Sequence, residues 1–213
     1  AYEAWQNALA RAVDTTPDHV MITTVHQHDA PVADLAAERL LRQHGLPGSV
    51  CDPAFHAEAL ERVFVAARTS LRLARPVTHY GTGQARVERV ASNRRYTMPD
   101  GQVRFDRTSS TRNAFAIAGE EGLIDPMLKT LSFWEHDTAL AALSFYAVHP
   151  MSYYGQGDVS ADFPGLARRK RQSETPGTRQ IYCSGCSGNV TAGKYNNGAP
   201  ENRGLLADRL HKA

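Results

Sequence analysis

The sequence predicts an α/β layered fold, a mixed β-sheet flanked by helices, and three observations carry that prediction. Amphipathic helical segments are interleaved with short apolar, β-branched runs. Two of those runs, Met127 to Trp134 and Ala139 to Val148, are joined by the short turn Glu135-His136-Asp137-Thr138 and so read as an antiparallel hairpin. With 42% hydrophobic and 22% charged residues among 213, the chain has an ordinary globular composition. Lys+Arg 24 against Asp+Glu 22 gives a net charge of +2, which offers no field for a polyanion and argues against a nucleic-acid partner. No stretch approaches the ~18 consecutive apolar residues of a membrane span. No basic segment followed by an apolar one opens the chain as a signal peptide would.

Taken in order, Tyr2 to Val13 places Trp5, Leu9, Ala12 and Val13 on one helical face, and Asp14 to Asp18 is a turn cluster around Pro17. Val20 to Val25 (VMITTV) reads as a buried strand delivering His26, Gln27 and His28 at its end. Asp34 to His44 is a helix stopped by Gly45, with Pro47 and Gly48 in the loop that follows. Asp52-Pro53 begins a long helix, Asp as N-cap and Pro in the first turn. Phe55, Leu60, Val63, Phe64, Ala67 and Leu71 then recur at helical spacing to about Arg75, before Pro76. Val77 to Val90 alternates weakly and reads as extended chain around Gly81 and Gly83.

Ser92 to Glu121 is a long polar segment, expected to be functional or disordered, with a turn at Pro99-Asp100-Gly101. After the hairpin, Met151 to Gln156 is a loop, and Ser160 or Asp162 can cap a helix from Phe163 to about Gln172. Arg179 to Cys183 is a short strand running into a Gly/Ser/Asn loop, and residues 201–213 form a last amphipathic helix. The basic run Arg168-Arg169-Lys170-Arg171 is most simply a solvated helix face, ahead of a nuclear-localisation signal. Both ends of the chain fall inside helical patterns, so residues 1–213 read as part of a larger domain.

Nine His and three Cys are the unusual counts. Cys183-Ser-Gly-Cys186 has no second CxxC to complete a structural zinc site. The Gly and Ser residues after it favour a turn over the helix start of a redox motif. A disulfide within so short a ring would be strained, and a pair of unlinked thiols is the other reading.

Three strand ends gather the polar residues. On a strand, residues i and i+2 share a face, so His26 and His28 can converge, and two imidazoles make half of a catalytic zinc shell. The same pair reads equally as one packed and one solvated imidazole. His149 ends the apolar run LSFYAVHP, and the loop beyond it carries Asp158, Ser160 and Asp162, an arrangement typical of α/β active sites. Ser184 to Asn197 is Gly-rich and follows a strand. It fits neither a Walker A loop, because Tyr195 stands after Gly193-Lys194, nor a GxSxG elbow.

The ordered set resembles the neutral (non-lysosomal, alkaline) ceramidases and related bacterial proteins. In that family a strand ends in His-Thr-His-Ser-Gly-Pro, matching His26-Gln27-His28-Asp29-Ala30-Pro31. The family's Asn-Arg matches Asn93-Arg94, and its buried strand ending in a ligand His matches Ala147-Val148-His149. Its Ser-x-Asp-x-x-Gly matches Ser160 to Gly165, and its Gly-Asp-Val-Ser-Pro-Asn matches Gly188 to Gly193.

The resemblance implies a zinc-dependent amidohydrolase that cleaves an N-acyl amide such as ceramide. It implies His26 and His149 as zinc ligands and His28 as a catalytic imidazole near the metal-bound water. Arg94, with Asn93 and Asn189, would lie on the substrate side. Zinc lowers the pKa of a bound water towards ~7 and polarises a carbonyl, and a neighbouring imidazole moves the proton. The family's remaining zinc ligands, a Glu and a Tyr, lie farther along than this chain reaches, so a further polypeptide would complete the site. The resemblance also implies export to the periplasm or the cell exterior. Asp29 stands where the family has Ser, Asn189 where it has Asp, and Ala192-Gly193 where it has Pro-Asn. Those departures open two other readings: a degenerate domain serving as a binding or assembly module, and a metal hydrolase for another amide or ester.

Overall fold

Helical periodicity near the start of the chain is realised as helices α1 (Tyr2–Ala12), α2 (Leu35–Gln43) and α3 (Pro53–Ser70), with 3₁₀ turns at Pro17–His19 and Leu71–Leu73. The computed structural model describes residues 1–48, 50–153, 155 and 158–213. These helices belong to the first of two units, formed by Ala1–Thr23 and Pro31–Pro76. The Asp34 carboxylate accepts from Ala37 N and starts α2, and Asp52 accepts from Ala54 N and Phe55 N and starts α3. Between α1 and α3, the Trp5 indole N–H donates to His56 Nε2 at 2.8 Å, with the rings edge to face. Glu38 is fully buried on α2 and binds the loop before α3, accepting from Gly48 N (2.6 Å), Val50 N (3.2 Å), Cys51 N (3.4 Å) and Arg42 Nε (2.8 Å). Those donors, the Gly48 amide first, hold its carboxyl at about 2.

Two expectations change here. Residues 20–25 have no regular structure, because among the described residues no strand runs beside them and β-branched composition alone cannot satisfy a backbone. The apolar spacing in α3 makes a helix but not a buried face, since Phe55, Val63 and Val65 all stay exposed.

The second unit, Thr24–Ala30 with Val77–Ala213, contains the sheet. Its strands are β1 (His79–Arg86), β5 (Met127–Glu135), β6 (Thr138–Tyr146) and β7 (Arg179–Ser184), in that spatial order. The expected hairpin is β5 and β6, with Leu131 opposite Leu143 and a bulge at Phe133/Trp134. β1 adds antiparallel to β5. Helix α5 (Asp162–Glu174) crosses over so that β7 lies parallel to β6, which makes the sheet mixed.

Helices α5 and α6 (Glu201–Lys212) pack together, and their apolar side chains Phe163, Ala167, Leu206 and Leu210 meet Tyr146, Val148, Val90 and Val190 in one core. At the start of α5 a Cβ on Gly165 would stand 2.3 Å from Ala161 Cβ, so only glycine fits. The basic run on α5 is a solvated face, with Lys170 paired to Asp208 and Arg171 to Glu174. All three cysteines are free thiols, Cys51 and Cys183 buried and Cys186 exposed. The loop expected over 151–156 includes Tyr154 and Gln156, which lie outside the described residues.

The polar segment 92–121 is neither structureless nor disordered. It contains β2 (Ser92–Asn93), β3 (Tyr96–Thr97), β4 (Val103–Arg104) and α4 (Ala114–Ala118), and Met98 N donates to Gln102 O across the expected Pro99-Asp100-Gly101 turn. β2 pairs with β8 (Val190–Thr191). The organiser is Arg107, wholly buried, whose guanidinium donates to the carbonyls of Asn93, Arg95, Ala116, Gly119, Glu120 and Glu121. A buried cation without a carboxylate is tolerable only when carbonyl dipoles replace its water in this way. Gly193 lets this segment close up, since a Cβ there would lie 2.0 Å from Thr108 O.

Candidate metal centre

The three imidazoles singled out in the sequence meet in the second unit. His26 and His28 do converge, but through a bend rather than a pleat. His26 sits at φ 60°, in the left-handed region that a non-glycine residue rarely adopts. That short stretch is anchored by side chains: Ser184 Oγ donates to Val25 O at 2.8 Å, and the Asp29 carboxylate accepts from Gly155 N at 2.9 Å. His149 follows β6, where its N–H donates to Val190 O and its ring is buried.

The ring centroids lie 5.1 Å apart for His26 and His28, 4.7 Å for His26 and His149, and 5.1 Å for His28 and His149. One ring nitrogen of each lies within 4.8 Å of the other two. His149 Nδ1 is 3.0 Å from Ser187 O, an acceptor only, so Nδ1 carries the proton and Nε2 keeps its lone pair. That lone pair is directed at His28 Nε2, 3.1 Å away. Two nitrogens bound to one tetrahedral zinc at about 2.05 Å would stand about 3.3 Å apart, so the spacing suits shared coordination. Withdrawal from water lowers the pKa of both His28 and His149, and Arg94 lowers it further, while His26 adds to the shift at each. The shift at each favours the neutral imidazole, the form a metal requires. The donor set and spacing therefore fit a metal ion.

Asn93, Arg94 and Asn189 are brought together by the β2–β8 pairing, with Arg94 N donating to Asn189 O at 2.7 Å, and the charge of Arg94 reaches His28 and His149. Arg94 Nε is buried and has no hydrogen-bond partner among the described residues. The Asn93 amide is occupied by the backbone, Nδ2 donating to Leu123 O and Oδ1 accepting from Arg95 N. Asn189 is exposed.

A polar brace behind the site was not foreseen. Asp162, buried and at φ 50°, accepts from Ser152 N, from its own neighbour Phe163 N and from Arg203 Nη2. Arg203 also donates to Ser152 Oγ and Tyr153 O and lies 4.0 Å from Asp29. The Ser-x-Asp motif marked Asp162, whereas nothing local marked Arg203 or the carbonyl of Ser187.

No family model matches the chain, and no curated protein matches it. Solved structures that it resembles include the following two. One is the neutral ceramidase from Pseudomonas aeruginosa, at 19% identity and TM-score 0.49, over 72% of this chain and 25% of that one. The other is a ceramidase complexed with C2, at 18% identity and TM-score 0.44, over 62% and 21%. The chain spans about a quarter or less of their length. No helix among the described residues is long and apolar enough to cross a membrane.

Proposed function

We propose that the second unit carries a metal-dependent hydrolase site of the ceramidase-like class, in which His26, His28 and His149 hold zinc and the substrate is an N-acyl amide of a lipid. The observation that carries this reading is the meeting of three imidazole nitrogens with the tautomer of His149 set by Ser187. Nitrogen donors in threes, with a position left for another ligand, are characteristic of catalytic zinc. Zinc held there would polarise a carbonyl and acidify a water. His149 keeps its lone pair on the metal side, and the bend at His26 aims both exposed imidazoles at the same point. Arg94, whose backbone N–H is held by Asn189 O and whose charge is felt by His28 and His149, would supply a positive charge to a substrate oxygen that develops negative charge. Remaining donors to the metal would come from beyond these three histidines, and export would accompany a lipid substrate met at a membrane surface.

A second role for His28 has its own support, the exposure of its ring beside the buried His149. There His28 moves the proton to the departing amine and only His26 and His149 bind metal.

Elemental analysis of the purified chain and its single variants decides both points. Stoichiometric zinc is expected in the wild type and lost in His26→Ala and His149→Ala. In His28→Ala, lost metal makes it a ligand. Retained metal with abolished hydrolysis of a fluorogenic N-acyl amide makes it the proton carrier. Full metal occupancy in a His26→Ala/His149→Ala double variant would overturn the site.

A further inference from the structure

A cavity of about 290 Å³ lies in the second unit between the segment Lys194–Asn197 and α6. Arg89, Lys194 and Arg209 line it with Thr111, Asn197 and Asn202, and no carboxylate does. Arg209 Nη1 donates to Arg89 O at 2.8 Å, which fastens its guanidinium against residue 89. Burial and the neighbouring Arg89 guanidinium both lower the pKa of Arg209, the sign of two cations held close together. Lys194 Nζ donates to Ile117 O and Gly119 O and adds a third positive charge. Among the described residues none of these three cations has a carboxylate within 4.0 Å. Glu120 and Glu121 are the acids whose charge reaches Lys194, and of these Glu121 accepts the Tyr195 hydroxyl and stands 3.9 Å from Arg86. Asn202 Nδ2 donates to Asn197 Oδ1, which leaves Asn197 Nδ2 as a further donor at the cavity.

We infer that this cavity binds a phosphate- or sulfate-type oxyanion bridging Arg89 and Arg209. A guanidinium presents paired N–H donors that match two oxygens of such an anion, and a dianion between two of them removes their mutual repulsion. Asn197 Nδ2 and Thr111 complete a set of neutral donors around it. The site is separate from the histidine cluster and would be filled whether or not that cluster binds metal.

The test is titration of the full chain by calorimetry at low salt with two probes, inorganic phosphate and phosphatidylcholine vesicles with and without phosphatidic acid. Saturable binding of inorganic phosphate, weakening as salt rises, is expected of a free-ion site. Binding confined to the phosphatidic acid vesicles would assign the same cavity to an esterified headgroup. Arg89→Gln should weaken either by at least about tenfold, equivalent to about 1.4 kcal/mol. The Arg89 side chain makes no hydrogen bond or ion pair among the described residues, so an unchanged thermal melt is expected to accompany that loss. Asn197→Asp, which keeps the oxygen that Ala199 N and Asn202 use but adds a negative charge, should weaken binding as well. Absence of binding to both probes, or equal binding in wild type and both variants, would overturn the inference.

Discussion

The first unit and the second are stabilised by different means. Helices α2 and α3 begin on aspartate caps, and the unit is joined by polar captures, Glu38 around the amides of Gly48, Val50 and Cys51 and Trp5 on His56. Much of the apolar surface of α3 stays open, Val65 and Phe55 among it. The second unit closes an apolar core from residues far apart in sequence, Val90, Tyr146, Phe163, Val190 and Leu206. It adds one buried cation, Arg107, at the centre of its longest irregular segment. The difference teaches that periodicity specifies an element while burial needs a partner surface. A cap can begin a helix from within a few residues, but a core has to be assembled across the chain.

Arg107→Met should show the strongest effect. It removes the donors from carbonyls spread between Asn93 and Glu121, and a loss of about 3–5 kcal/mol is expected by chemical denaturation, the scale of breaking a buried charged network. A loss below 1 kcal/mol would mean that the segment is held by something else. Glu38 gives an intermediate test of the first unit. Its folded carboxyl is depressed to about 2 from an ordinary 4.5, so its contribution is complete above the unfolded value and disappears as pH falls through about 2. The amide resonances of Gly48, Val50 and Cys51 should therefore titrate together near that lower pH. In Glu38→Gln they should be flat over the same range, and a common midpoint near 4.5 in the wild type would break the reading. The smallest effect is expected from Val65→Gln on the open side of α3, within about 0.5 kcal/mol of wild type. A larger loss there would show that the open face is covered in solution.

The hairpin, the helices that became α2 and α5, the cap at Asp52 and the last helix were legible in the sequence because turn residues, capping side chains and spacing act over a few positions. The strand expected at residues 20–25 was not, since a strand exists only with a neighbour to bond to. The order of Arg, Ser and Thr between Ser92 and Glu121 looked like a loop because no local rule says that one arginine will gather six carbonyls around it. Of the candidate site, the three imidazoles His26, His28 and His149 that meet in the structure were legible. Their convergence came about for a reason the sequence did not carry, the left-handed backbone at His26 in place of a pleated strand. Arg203 and Ser187 O gave no signal, since a brace and a tautomer-setting carbonyl are defined by position alone.

By itself the sequence determined the helices, the hairpin, the α/β class and a short set of imidazoles with metal-ligating chemistry. Those properties follow from residue type and spacing of a few positions. Only the tertiary structure decided which of those residues meet, which apolar positions are covered, and which proton His149 carries. Each of these depends on groups far apart along the chain being held within a few ångströms, where hydrogen bonding and desolvation act.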